Sequence, residues 1–353
     1  MFFKRTMTVL LTLVSAAGLC SCGPAQEASI PKEPIPFDAS NYIRESELTD
    51  AGLDPDRAFD EYEITHNPEI TLSVPTFITK IEEFWIIVDC YHNRVLYNQD
   101  LGIPLNSWKV MCSDVIQPHT LASDGKVYLI DDTENNRVLV YEKRDDKFIN
   151  TQLFSDIGDR PHFSVYDEYS DTFYVWSSQT GELYCFRHTA DSTRLYLTDI
   201  RKIDQLSSTY VRSFTIIGGD IYFVSGISSD GTPPQILQCD LETLSIKKSY
   251  PVPNEIAGMV QITPVEDDFF ITVSTDITGN QDYATLIRTS SLEDLSKGRY
   301  EDIYSEYFIG GGTPYNISQA DGKFFLTEHR LQGHSIWSFE TQNNEIKNVQ
   351  AIY

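Results

Sequence analysis

The side chains best suited to chemistry recur at a fixed distance. Pro118-His119 and Pro161-His162 lie 43 residues apart, and Arg160 stands directly before the second pair. Two imidazoles at equivalent points of a repeat can meet in space, as metal ligands, as an acid–base pair or as ligand contacts. The competing use is structural: a Pro-His step suits a turn, and each ring bonds a backbone carbonyl. Arg160 and Arg212 offer planar guanidinium forks for a carboxylate or sulfate, against the alternative of ion pairs between neighbouring repeats. Gln117 and Tyr210 lead into strands in the same way, as does Tyr315. Trp176, Tyr210 and Tyr315 provide flat faces for a sugar or peptide, or for the core. Glu328 opens a later turn and completes the candidate ligand-binding set. At the matching point in other repeats stand Tyr210, Met259 and Tyr315 rather than a third His. A symmetric metal centre is therefore not expected and no cofactor is predicted, a divalent cation at the two His being the alternative. G-x-S-x-G, H-E-x-x-H and P-loop motifs are missing, so no catalytic residue is assigned.

These residues need a scaffold that repeats every 43 positions. Asp89-Cys90-Tyr91-His92-Asn93-Arg94-Val95-Leu96 is echoed 43 residues on by Asp132-Thr133-Glu134-Asn135-Asn136-Arg137-Val138-Leu139. A period of about 43 accommodates four short strands and their turns, the unit of a propeller blade. In the second unit, apolar runs at His119–Ala122, Val127–Ile130, Arg137–Tyr141 and Phe148–Leu153 are separated by turn residues such as Ser123-Asp124-Gly125. Units of the same grammar continue to Tyr353. The expected fold is all-β: a six-bladed β-propeller over 69–353 with four-stranded antiparallel blades. In such a ring the turns leading into the inner strands, and those between second and third strands, share the face around the central channel. That face collects Gln117, His119, Arg160, His162, Tyr210, Arg212 and Tyr315. The longer turns near 226–234 and 274–283 should wall one side of it.

The Asp…Asn-Arg-Val pattern at Asp89…Asn93-Arg94-Val95 and Asp132…Asn136-Arg137-Val138 resembles NHL repeats, the blades of six-bladed NHL-type propellers. The third unit departs from it, with Gln179-Thr180-Gly181-Glu182-Leu183 in place of Asn-Arg-Val. The resemblance implies the fold; NHL-type propellers serve as binding proteins, lyases and lactonases, so it implies no single activity.

Ahead of the repeats, Lys4-Arg5, an apolar stretch to Leu19 and Leu19-Cys20-Ser21-Cys22-Gly23 resemble a bacterial lipoprotein signal peptide (1–21). Cys22 is the expected lipidation site, carrying diacylglyceryl and palmitate-type chains. Residues 22–39, with Pro24, Pro31, Pro34 and Pro36, read as a stiff spacer. Residues 40–68 are expected to pack on the propeller or to close it by pairing with the last blade. The chain is strongly acidic, with a net charge of −25 that becomes −27 once Lys4 and Arg5 leave. That excludes a nucleic-acid backbone as partner. Cys90, Cys112, Cys185 and Cys239 show no CxxC spacing and are expected to be buried thiols. Together these features predict an extracytoplasmic propeller, held to the membrane of the bacterial cell envelope by a lipid anchor. Its expected partner is a ligand, glycan, peptide or protein bound at the channel mouth. The alternative is a lyase or hydrolase of His-based or metal-assisted chemistry there.

Overall fold

The computed structural model describes residues 70–353 except 146, 229, 230 and 332. The signal peptide, Cys22, the spacer and the proposed closing segment (40–68) all lie outside the described residues.

Twenty-four strands form six four-stranded antiparallel sheets, each a simple meander, as the repeat predicts. The first blade comprises β1 (Pro75–Ile81), β2 (Phe84–Asp89), β3 (Arg94–Asn98) and β4 (Lys109–Cys112). The second comprises β5 (Leu121–Ser123), β6 (Val127–Asp132), β7 (Arg137–Arg144) and β8 (Lys147–Phe154). The third comprises β9 (Pro161–Asp167), β10 (Thr172–Ser177), β11 (Glu182–Arg187) and β12 (Tyr196–Lys202). The fourth comprises β13 (Thr209–Ile217), β14 (Asp220–Ser228), β15 (Gln235–Asp240) and β16 (Ile246–Pro251). The fifth comprises β17 (Met259–Val265), β18 (Asp268–Val273), β19 (Thr285–Thr289) and the short β20 (Glu301–Asp302). The sixth comprises β21 (Thr313–Ala320), β22 (Lys323–His329), β23 (Ile336–Gln342) and β24 (Glu345–Ala351).

The core is not one mass but six wedges, one between each pair of adjacent blades. Phe84, Tyr97, Tyr128 and Phe148 fill the first wedge, with edge-to-face ring contacts of 4.7 to 5.9 Å. Phe154, Phe173 and Phe186 fill the next, and Phe163, Trp176, Phe214 and Phe223 the one after. Aromatic side chains suit this geometry because two flat sheets splay apart with radius and leave wide gaps near the rim. The acidic chain's excess of Tyr and Phe is thereby accounted for. All four described thiols are free and buried, and burial pushes Cys112, Cys185 and Cys239 up to about 12.

The ring closes on the sixth wedge, where Trp85, Leu96 and Trp108 of the first blade meet Phe325 and Ile336 of the last. The last blade takes all four of its strands from consecutive chain. Its end is fastened by Tyr353: the hydroxyl accepts from Gly102 N (2.9 Å) and Trp108 Nε1 (3.0 Å) and donates to Ile103 O (2.9 Å).

Candidate functional site

The repeated Asp and Asn build the mouth. Asp89 and Asp132 have fully buried side chains, paired with Arg94 (2.7 Å) and Arg137 (2.5 Å). Their second oxygens accept from backbone N–H groups of the preceding segment, Ser73 (2.6 Å) and Ile116 (2.7 Å). Asn93 and Asn136 end short 3-10 turns in the left-handed region, with φ of 54° and 52°, a conformation Asn tolerates better than most residues. Their side-chain oxygens accept from Gln117 N (2.9 Å) and Arg160 N (2.8 Å). Gln117 and Arg160 are themselves left-handed, with φ of 52° and 62°. So each motif holds the start of the following blade in a conformation a side chain resists, and aims Gln117, His119, Arg160 and His162 at the channel.

The two imidazoles meet. Their rings stack with centroids 3.8 Å apart and planes 26° from parallel. The hydrogen bonds settle their tautomers. Thr133 gives its hydroxyl proton to Pro161 O (2.8 Å), so its oxygen accepts from His119 Nδ1 (2.9 Å). His162 Nδ1 lies 2.8 Å from Arg212 O, which can only accept. Both Nε2 atoms therefore carry lone pairs. That of His119 is 3.8 Å from Cys90 Sγ; that of His162 has no partner among the described residues. Burial, then the Arg160 and Arg212 charges, drive His119 down to about 3. Burial and the neighbouring His119, Arg212 and Arg160 hold His162 well below its usual range. His329 is lowered to about 4 by burial and by Arg330 and Arg212. All three rings are neutral acceptors at physiological pH.

Around them lies a cavity of about 200 Å³ lined by Gln117, His119, Arg160, His162, Tyr210, Arg212 and Tyr315, with Val74, Tyr91, Ser274, Thr275, Gln281, Thr313 and His329 completing the wall. Tyr210 meets His162 edge to face at 5.6 Å, and Tyr315 stacks beyond His119 at 6.1 Å. Arg160 is ion-paired with Glu134 of the preceding blade. Arg212 has no carboxylate partner among the described residues. Its NH1 donates to Ser274 Oγ (2.5 Å), and its guanidinium lies 5.5 Å from the Tyr210 ring. Behind the pair, buried Asp131 accepts from His119 N (2.6 Å) and Thr120 N (3.0 Å), and burial lifts its carboxyl to about 7. Among the described residues no group of three or more His, Cys, Asp or Glu is placed to hold a metal ion.

Seven of the nine side chains picked from the sequence thus converge on one cavity. Trp176 and Glu328 do not. Trp176 points from β10 into the wedge beside Phe223, fully buried, its Nε1 donating to Val211 O (3.2 Å). Glu328 is not in a turn: β22 continues through His329, and strand alternation sends Glu328 inward, where it accepts from Trp337 Nε1 (2.9 Å) and Tyr304 Oη. Its neighbours His329 and Arg330 take the positions at or beside the mouth. The same alternation, applied one residue later, is the signal that would have found them. Ser274, Thr275 and Gln281 come from the longer loop expected to wall the mouth.

No protein-family model matches the chain, and no curated protein matches it. Solved structures do. A "putative 6-phosphogluconolactonase" from Bacteroides uniformis aligns at 11% identity and TM-score 0.56, over 78% of this chain and 84% of its own. A protein of the same description from Bacteroides fragilis aligns at 11% identity and TM-score 0.54, over 78% and 83%. A streptogramin B lyase aligns at 16% identity and TM-score 0.51, over 81% and 85%. At such identities what this chain has in common with these proteins is the fold.

Proposed function

We propose that this chain is a lipid-anchored, extracytoplasmic propeller that binds a small anionic ligand at its channel mouth. The observation that carries the reading is Arg212. In a chain of net charge −25, a half-buried guanidinium with no carboxylate partner among the described residues lines a cavity. A charge held partly out of water without a counter-ion is costly, and a ligand carboxylate or sulfate removes that cost. The anchor rests on the Leu19–Gly23 pattern and on Cys22.

The alternative is a lyase or hydrolase using His119 or His162. Both rings are unprotonated, as a general base must be. Yet a base driven far below neutrality has little proton affinity for abstraction, and the Arg160 and Arg212 charges repel a divalent cation. Recognition is the better use of these groups.

Calorimetric titration of the full chain with acetate and with sulfate, at low salt, tests the reading. Binding is expected, weakening as salt rises and dropping at least 30-fold in Arg212→Met, while Lys347→Met on the outer strand β24 leaves it unchanged. Equal affinity in Arg212→Met overturns the proposal. For the anchor, Cys22→Ser is expected to move the chain from the membrane pellet to the soluble fraction; an unchanged distribution rejects it.

A further inference from the structure

The unused hydrogen-bonding atoms at the mouth specify more than an anion. Arg212 spends NH1 on Ser274 Oγ and, at 3.5 Å, on Gly258 O. Its Nε and NH2 meet no acceptor in the described protein. These two N–H groups form the parallel edge that grips a carboxylate with two bonds. Arg160 already has Glu134, so the cavity wall keeps one uncompensated positive charge, which matches a monoanion.

Next to that fork the site presents acceptors rather than donors. His162 Nδ1 is committed to the carbonyl of Arg212 itself (2.8 Å), so the ring is tied to the residue that supplies the fork. Its Nε2 lone pair meets no donor among the described residues. Burial first, then the neighbouring His119 and the two arginines, keep the ring unprotonated, and it stays an acceptor. An acceptor on the cavity wall beside an anion-gripping fork calls for a hydroxyl on the same ligand. An ammonium group would fill the acceptor too, but it is repelled by Arg212 and Arg160. A cavity near 200 Å³ is smaller than those that take drug-sized ligands. It suits a ligand no larger than a monosaccharide acid.

We propose that the channel mouth selects small hydroxylated monocarboxylates, with the carboxylate on Arg212 Nε and NH2 and a hydroxyl donating to His162 Nε2. The proposal rests on the anion-binding reading above and adds the second contact. A site built to accept from a ligand hydroxyl discriminates strongly against the analogue lacking it, because the acceptor is then left desolvated and unpaired.

The test compares lactate with propionate, which differ by one hydroxyl, and adds glycerate, on the full chain by calorimetry. Lactate and glycerate are expected to bind at least 10-fold more tightly than propionate. His162→Asn retains a side-chain donor near the Nδ1 position, for Arg212 O, and lacks the Nε2 acceptor. It is expected to bring the ratio of lactate to propionate affinity from at least 10 down to about 1. Retention of propionate binding shows that the variant is folded; should it be lost, His162→Gln, which restores an acceptor near Nε2, must recover the preference for lactate. Equal binding of lactate and propionate to the natural chain overturns this inference and leaves anion binding intact. Failure of all three acids and of sulfate overturns both.

Discussion

Trp108→Ala is expected to cost about 3–5 kcal/mol of unfolding free energy, among the largest losses any single truncation should produce here. Trp108 is fully buried in the wedge that joins the first blade to the last. Five wedges are stitched by continuous chain; among the described residues this one is held by side chains and by the bonds around Tyr353. Truncation removes a large apolar surface and leaves a cavity that two rigid sheets cannot collapse to fill. It also deprives Tyr353 of a donor. Tyr353→Phe isolates that second part: the ring stays against Trp108, with centroids 6.1 Å apart, and three hydrogen bonds vanish. A loss of about 1–2 kcal/mol is expected, since partners are left unsatisfied but only partly buried. Urea unfolding followed by tryptophan fluorescence and by far-ultraviolet circular dichroism measures both. A loss below about 1 kcal/mol in Trp108→Ala would mean that this wedge does not seal the ring.

Asp132→Ala is the second large expected effect, and it acts on stability and on the mouth together. The carboxylate of Asp132 holds Arg137 Nε (2.5 Å), Asn135 Nδ2 (2.9 Å) and the backbone N–H of Ile116 (2.7 Å). Removing it leaves a mostly buried guanidinium and a backbone donor without their acceptor. Breaking a buried pair typically costs 3–5 kcal/mol. Arg137 is about one-fifth exposed, at 21%, and can turn toward water and Asp114, so about 3 kcal/mol is expected. Ile116 immediately precedes Gln117, which is held at positive φ, so release of this anchor also frees the segment carrying His119. Anion affinity should fall at least fivefold, measured by calorimetry at a temperature where the variant remains folded. Asp132→Asn, which keeps one acceptor, should lose less on both counts. Unchanged affinity in a destabilised Asp132→Ala would show that the repeat motif supports the blade without shaping the mouth.

Much of this was legible in the chain. The recurrence of Asp89…Asn93-Arg94 at Asp132…Asn136-Arg137 marks a local structure that must be built twice. Its ion pairs are short-range, so the residue types alone announce them. Turn glycines and alternating apolar runs place the strands, because a half-buried strand has a period of two and no other element does. The repeat then places His119 and His162 side by side, since equivalent points of adjacent blades are neighbours around the ring. Where the repeat decays, so does the reading. Glu328 was expected to open a turn, but β22 runs on through His329, and neighbouring strand residues face opposite ways, so Glu328 meets the core and His329 the mouth.

The sequence by itself therefore determined the class of fold, the order of the blades and most, though not all, of the residues gathered at the channel, because each depends on local pattern and periodicity. What only the tertiary structure decided is the state of those residues. That Arg160 is neutralised while Arg212 is not depends on whether a carboxylate from another blade reaches it. That His162 offers a lone pair depends on the carbonyl to which its other nitrogen is tied. That Trp176 fills a wedge rather than the mouth depends on which side of β10 faces Phe223. Charge and hydrogen-bonding capacity are properties of a side chain, but what remains unspent after folding is set by partners far away in sequence. That remainder is what a ligand meets.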